Sequence, residues 1–219
     1  TKIVFICSPN NPTGGSTARK DIVKVCNAAR GRALVVLDEA YQEFSAQEEL
    51  RSLQEINDHV VSLRTLSKFV SLAGVRCGAV IGAKKLISFL ENVLPPYTFP
   101  TPSIELVLKA LDEDSMSVSK EKTCSILRER SRLKDELLKF SIVEKVWPSD
   151  ANFLLVSTSN RERFSMAAKN GGILVRIFDN HESIKNCVRI TIGSKNDNDQ
   201  LLQALSNEFT KISNKRQEK

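Results

Sequence analysis

Lys68 follows Thr65-Leu66-Ser67 and stands eight residues before Arg76, directly after the apolar run Val60-Val61-Ser62-Leu63. An amine can condense with a carbonyl, while small hydroxyls and the planar fork of a guanidinium suit the oxygens of a phosphate. This combination is equipment for holding a phosphorylated aldehyde. A lysine set among apolar residues also gives up its charge more readily than an exposed one, as an amine nucleophile requires. Read on its own neighbours alone, Lys68 is equally a solvated lysine in a surface loop.

Other apolar runs end in polar groups as well. Ile3–Cys7 is followed by Ser8-Pro9-Asn10-Asn11-Pro12-Thr13-Gly14-Gly15, and the run from Ala33 to Leu37 by Asp38-Glu39-Ala40-Tyr41. Ligands of open α/β sheets sit beyond the carboxyl ends of the strands, so an amide, a carboxylate, a phenol and an amine can converge there. Each has a plainer reading: Asp38 as a helix cap, Asn11 as a turn residue beside Pro12-Thr13-Gly14, Tyr41 as a core aromatic. Arg189 lies among β-branched neighbours in Val188-Arg189-Ile190-Thr191-Ile192, where a charge needs a partner. Arg176 ends Ile173-Leu174-Val175-Arg176, where the plainer reading is an outward-facing strand residue. His59 and His181 lie outside any carboxylate or cysteine cluster and are given no chemical role.

The elements that must position these groups are short. Strands are expected at Ile3 to Cys7, Ala33 to Leu37, Val60 to Leu63 and Ala79 to Ile81. A helix is expected from Thr17 to Arg30, stopped by Gly31, and another from Lys84 to Val93. Alternation of apolar runs with helices is the pattern of a mainly parallel α/β sheet covered by helices. Leu94 to Pro102 holds four of the seven prolines and is expected to be irregular or extended. A long charged helix near 119–140 follows, bridging to a strand at Asn152 to Val156 and a helix at Arg161 to Asn170 closed by Gly171-Gly172. Strands at Ile173 to Ile177 and Val188 to Ile192 and a final helix from Asp197 to Ile212 complete a small α+β domain. The tail from Asn214 to Lys219 is expected to fray. This divides the 219 residues into a large domain over 1–115 and a small one over 116–219.

Composition is that of a globular protein, with 41% hydrophobic residues. The 32 basic and 26 acidic residues give a net charge of +6, scattered and without interleaved aromatics, which argues against a nucleic-acid surface. Five cysteines without Cys-x-x-Cys spacing suggest neither a disulfide framework nor a metal site, and point to a reducing, cytoplasmic setting. No apolar run approaches the roughly 18 residues of a membrane span, and a soluble protein is expected. A buried strand almost at the first residue suggests further chain upstream, which leaves an organellar signal open.

Taken in order, Ser8-Pro9-Asn10-Asn11-Pro12-Thr13-Gly14, Asp38-Glu39-Ala40-Tyr41, Ser67-Lys68 and Arg76 resemble the motif series of fold-type I pyridoxal-phosphate aminotransferases. Asp38-Glu39-Ala40-Tyr41-Gln42-Glu43-Phe44, Leu63-Arg64-Thr65-Leu66-Ser67-Lys68, Leu72-Ala73-Gly74-Val75-Arg76-Cys77-Gly78 and Cys187-Val188-Arg189-Ile190-Thr191-Ile192-Gly193 are similar to its histidinol-phosphate branch. The resemblance covers nearly the whole chain and is more specific to cofactor than to substrate. It implies a three-layer αβα large domain, incomplete at its amino terminus, and pyridoxal 5'-phosphate as cofactor. It further implies that Lys68 holds the cofactor as a Schiff base and shuttles the proton, and that Asp38 pairs with the pyridinium nitrogen. Asn11 and Tyr41 would donate to the phenolate oxygen, Ser67 and Arg76 would grip the phosphate with Thr65 as a third group, and Arg189 and Arg176 would bind the acidic group of the substrate. The implied reaction is amino transfer from L-histidinol phosphate to 2-oxoglutarate in histidine biosynthesis, by a homodimer.

Family members also use an upstream glycine-containing loop, an upstream stacking aromatic and a partner subunit's tyrosine, none of which matches a position in this chain. On that basis the chain is expected to be the carboxyl-terminal portion of a longer enzyme, binding cofactor weakly and turning over little by itself. Threonine-phosphate decarboxylase or an aromatic aminotransferase shares Lys68 and Asp38 and is the near alternative. A non-catalytic ligand-sensing module of a transcription regulator is the distant one.

Overall fold

The computed structural model describes residues 1–46, 53, 57–178 and 182–211. His181, the expected helix end at Ile212 and the tail from Asn214 lie outside the described residues. The chain divides into two units, one of Thr1–Asn11 with Ser16–Thr123, the other of Pro12–Gly15 with Cys124 onward.

In the first unit, β1 (Ile3–Cys7), β2 (Leu34–Asp38), β3 (Val60–Thr65) and β4 (Gly78–Gly82) form a four-stranded sheet in that order. The β1–β2 and β2–β3 pairs are parallel, and β4 returns antiparallel to β3, with Thr65 opposite Gly78. An antiparallel neighbour needs no crossover helix, so the segment between β3 and β4 is free to be a loop, and that loop carries Lys68. Helix α1 (Arg19–Ala29) buries Ile22, Cys26 and Ala29. Their spacing is a helical stripe, and it packs on Val35, Leu37 and Val60 with Leu53. Helices α2 (Lys84–Glu91) and α3 (Thr101–Ala110) follow β4.

Helix α3 departs from the expectation of an irregular proline-rich connection continuing to Pro102. Pro102 lies in the first turn of α3, where a missing N–H costs nothing, so it marks a helix start and not a break. The long helix α4 runs over Glu113–Leu137, earlier than the expected 119–140. The Asp112 carboxylate accepts the backbone N–H of Ser115 at 2.7 Å, which caps the helix six residues sooner than apolar spacing suggested.

In the second unit, β5 (Val143–Val146), β6 (Phe153–Thr158), β7 (Arg176–Ile177) and β8 (Cys187–Thr191) form an antiparallel sheet in the order β5-β6-β8-β7. Strand β5 was not expected, and β7 is two residues long where five were expected. Helices α5 (Arg161–Asn170) and α6 (Lys195–Glu208) supply Phe164, Ala168, Leu201 and Leu205 to a core with Leu154, Val156, Val188 and Ile190, joined by Leu133 and Leu137 of α4. The other face of β6 and β8 carries Leu155 and Arg189, an alternation that leaves charge off the core. Among the described residues no helix is long and apolar enough to cross a membrane.

Candidate active site

The carboxyl ends of β1, β2 and β3 hold most of the chemistry named above. Cys7 and Asp38 are register partners at the ends of two adjacent parallel strands. The Cys7 thiol donates to Asp38 Oδ2 at 3.4 Å, and the Ala40 backbone N–H donates to Asp38 Oδ1 at 3.1 Å. Both oxygens of the carboxylate are therefore held, and its plane is fixed. Burial, then the charge of Asp38 and the hydrogen bond to it, push the Cys7 thiol up to about 11, so it remains a protonated donor at neutral pH.

Tyr41 follows in the turn after β2 and is 8% exposed. The Lys68 amine sits 5.5 Å from the centroid of the Tyr41 ring, which brings the amine of one strand end to the phenol of the next. Arg64 Nη2 donates to Glu43 Oε1 at 2.6 Å. That ion pair ties the end of β3 to the short helical turn Gln42–Phe44 beside Tyr41. Asn11 lies in the turn after β1, at the surface.

The loop carrying Lys68 is closed on itself. Leu66 N–H bonds the Cys77 carbonyl, Leu72 N–H bonds the Leu66 carbonyl, and Ser71 N–H bonds the Lys68 carbonyl. The Thr65 hydroxyl accepts the Ser67 N–H at 3.1 Å and donates to the Cys77 carbonyl at 3.4 Å, so this oxygen is engaged in the turn itself. Arg76 has φ of 59° and ψ of 39°, left-handed backbone that a bulky residue adopts only under constraint, and its Nη1 bonds the Ala73 carbonyl at 3.0 Å.

In the second unit Arg176 and Arg189 stand directly opposite each other across β7 and β8. The Arg189 guanidinium carbon lies 5.2 Å from the centroid of the Phe153 ring. The structure thus brings together Asp38, Tyr41 and Lys68 in one unit and Arg176 with Arg189 in the other.

Sequence reasoning passed over Cys7, Gly14 and the Arg64–Glu43 pair. Cys7 was visible only as the end of a strand, since a thiol carries no motif of its own. Gly14 has φ of +82°, and a Cβ there would run into Ser149 Oγ and meet Ser149 Cβ at 2.7 Å and Ser149 Cα at 3.1 Å. Its carbonyl accepts the Asp150 N–H at 2.8 Å, and Arg130 Nη1 bonds the next carbonyl, Ala151, at 2.7 Å. Only the Pro-Thr-Gly turn hinted at this contact, because its partner lies far along the chain.

The family profile described as aminotransferase class I and II matches residues 1–205. A curated histidinol-phosphate aminotransferase 1 of Haemophilus influenzae is 38% identical over 204 residues, 93% of this chain and 56% of its own. The chain therefore spans little more than half the length of that relative. Among solved structures, a histidinol-phosphate aminotransferase from Clostridium acetobutylicum superposes with a TM-score of 0.84 at 23% identity, covering 94% of this chain and 63% of that one. One from Sinorhizobium meliloti, in complex with pyridoxal-5'-phosphate, gives 0.81 at 25%, with 94% and 56% covered. An L-threonine-O-3-phosphate decarboxylase from Porphyromonas gingivalis gives 0.81 at 21%, with 94% and 64% covered, so the fold is shared by more than one chemistry. With the family profile matched over residues 1–205 and a curated relative 38% identical across 93% of it, this chain belongs to the class I and II aminotransferases.

Proposed function

We propose that the whole protein is a pyridoxal-phosphate-dependent aminotransferase that moves an amino group from L-histidinol phosphate to 2-oxoglutarate, giving imidazole-acetol phosphate and L-glutamate. The observation that carries an acidic substrate group is the Arg176–Arg189 pair, and the choice of histidinol phosphate leans on the 38% identity to a histidinol-phosphate aminotransferase. Like charges directly opposite on adjacent strands repel, and an anion held between them reverses that cost. A phosphate or carboxylate is the anion whose oxygens match two guanidinium forks.

The residues present fit the cofactor. Asp38 is a carboxylate whose two oxygens are oriented by separate donors, with lone pairs left to accept a ring N–H. When bound, pyridoxal phosphate supplies a ring that accepts electrons from the substrate carbon. Asp38 would hold the proton on the ring nitrogen, while Tyr41 and Asn11 would donate to the ring oxygen. Ser67 and Arg76 would bind the phosphate, with the Thr65 hydroxyl shaping the turn that presents Ser67. Lys68 would anchor the aldehyde carbon and then, as a free amine, take and return the proton at the substrate carbon. The small-molecule partners are an amine and a 2-oxoacid, and a second copy of the protein is the assembly partner we infer.

The test is a comparison of kcat/KM for histidinol phosphate and phenylalanine, with the visible absorption of pyridoxal phosphate recorded alongside. A preference for the phosphorylated amine is expected, reduced about tenfold or more by Arg189→Ala, as loss of a charge-assisted hydrogen bond implies. The visible band is expected to vanish in Lys68→Ala. Equal rates with phenylalanine would sink the substrate assignment, carbon dioxide release from threonine phosphate would replace it, and absence of the band in the wild type would end the catalytic reading.

A further inference from the structure

We propose that Cys7 is a positioning residue for Asp38, its thiol setting the rotation of the carboxylate that receives the ring nitrogen of the cofactor. This rests on the assignment of Asp38 above. The geometry is specific: Cys7 and Asp38 are register partners on parallel strands, so their side chains leave neighbouring backbones side by side. Sγ–H takes Oδ2 and the Ala40 N–H takes Oδ1, one donor to each oxygen. A carboxylate held at one oxygen still swivels about its Cβ–Cγ bond, whereas one held at both does not.

The type of donor matters as much as its place. An ammonium or guanidinium at this position would neutralise Asp38 and weaken its hold on a ring proton. A thiol is a weak and neutral donor, so it orients the carboxylate and leaves its charge in place. The thiol must stay protonated to do this, and its burial beside a carboxylate ensures that it does.

Two substitutions in the protein at its natural length separate this role from packing. Cys7→Val keeps shape and removes the donor, while Cys7→Ser keeps a donor. Pyridoxal phosphate affinity is expected to fall about tenfold in the valine variant and to stay within about threefold of wild type in the serine variant. The midpoint of the pH titration of the visible band is expected to move with valine only. Without cofactor, peptide-resolved alkylation of Cys7 reads the contact directly. Asp38→Asn removes the neighbouring charge, so alkylation of Cys7 should accelerate at lower pH than in the wild type. Equal behaviour of valine and serine variants, or an alkylation profile indifferent to Asp38→Asn, would overturn the role of Cys7. A wild-type protein without a visible band defeats the assignment of Asp38 and this inference with it, whereas a normal band with valine and serine alike defeats Cys7 alone.

Discussion

Gly14 combines two constraints that each exclude a side chain. Its φ of +82° is left-handed, and the space a Cβ would take is filled by Ser149. Gly14→Ala is expected to cost roughly 2–4 kcal/mol of stability, the sum of a disfavoured backbone and an overpacked contact. Gly15→Ala should change little, since nothing lies within 4 Å of a Cβ there. Denaturant unfolding of the two variants checks the pair, and equal stabilities would refute the account. At this scale the sequence was informative where chemistry demands an uncommon residue type. Lys68, Asp38 and Tyr41 were named from the strands they follow, and Lys68 lies beside Tyr41 in the structure. Cys7 was not named, because a hydrogen bond between adjacent strands depends on register, and register is a property of pairing that no single run of residues contains.

Helix α6 begins with a reciprocal cap. The Ser194 hydroxyl accepts the Asp197 N–H, and the Asp197 carboxylate accepts the Ser194 N–H at 2.9 Å. Those bonds to Ser194 also hold the Asp197 carboxyl below its ordinary range. Ser194→Ala should therefore cost about 1 kcal/mol, seen as a lower melting temperature, while Ser194→Asp should retain most of the stability. An alanine variant as stable as wild type would show that the cap is dispensable. Elements with a strong internal period, such as α1 and the strands β1, β3 and β8, were legible in the sequence. Helix α3 was missed because its prolines sit in and before the first turn, where the same residue that breaks a helix interior begins one. Strand β5 was missed because four residues carry too little alternation to separate a short strand from a loop. The antiparallel return of β4 also was not legible, since direction is set by the loop between β3 and β4 and not by either strand.

The two units have separate cores among the described residues. One joins α1 to β2 and β3, and the other gathers α5, α6 and the end of α4 around β6 and β8. Heat should therefore unfold the protein in more than one step, giving a calorimetric enthalpy larger than the van't Hoff value. Leu137→Ala, which empties a fully buried site of the second core, should lower one transition by about 2–5 kcal/mol and leave the other nearly in place. A single two-state transition shifted as a whole would contradict this. The unit division has one more consequence, which follows from Pro12–Gly15. Those residues sit within the sequence of the first unit yet are counted with the second, where Gly14 docks on Ser149 and Asp150. Severing the polypeptide within α4 would therefore not yield two whole halves. The carboxyl-terminal piece would lack the tetrapeptide that closes over Ser149, and the amino-terminal piece would carry it away as a loop with no seat. Anyone splitting this protein into complementing fragments must treat the segment after β1 as part of the later half.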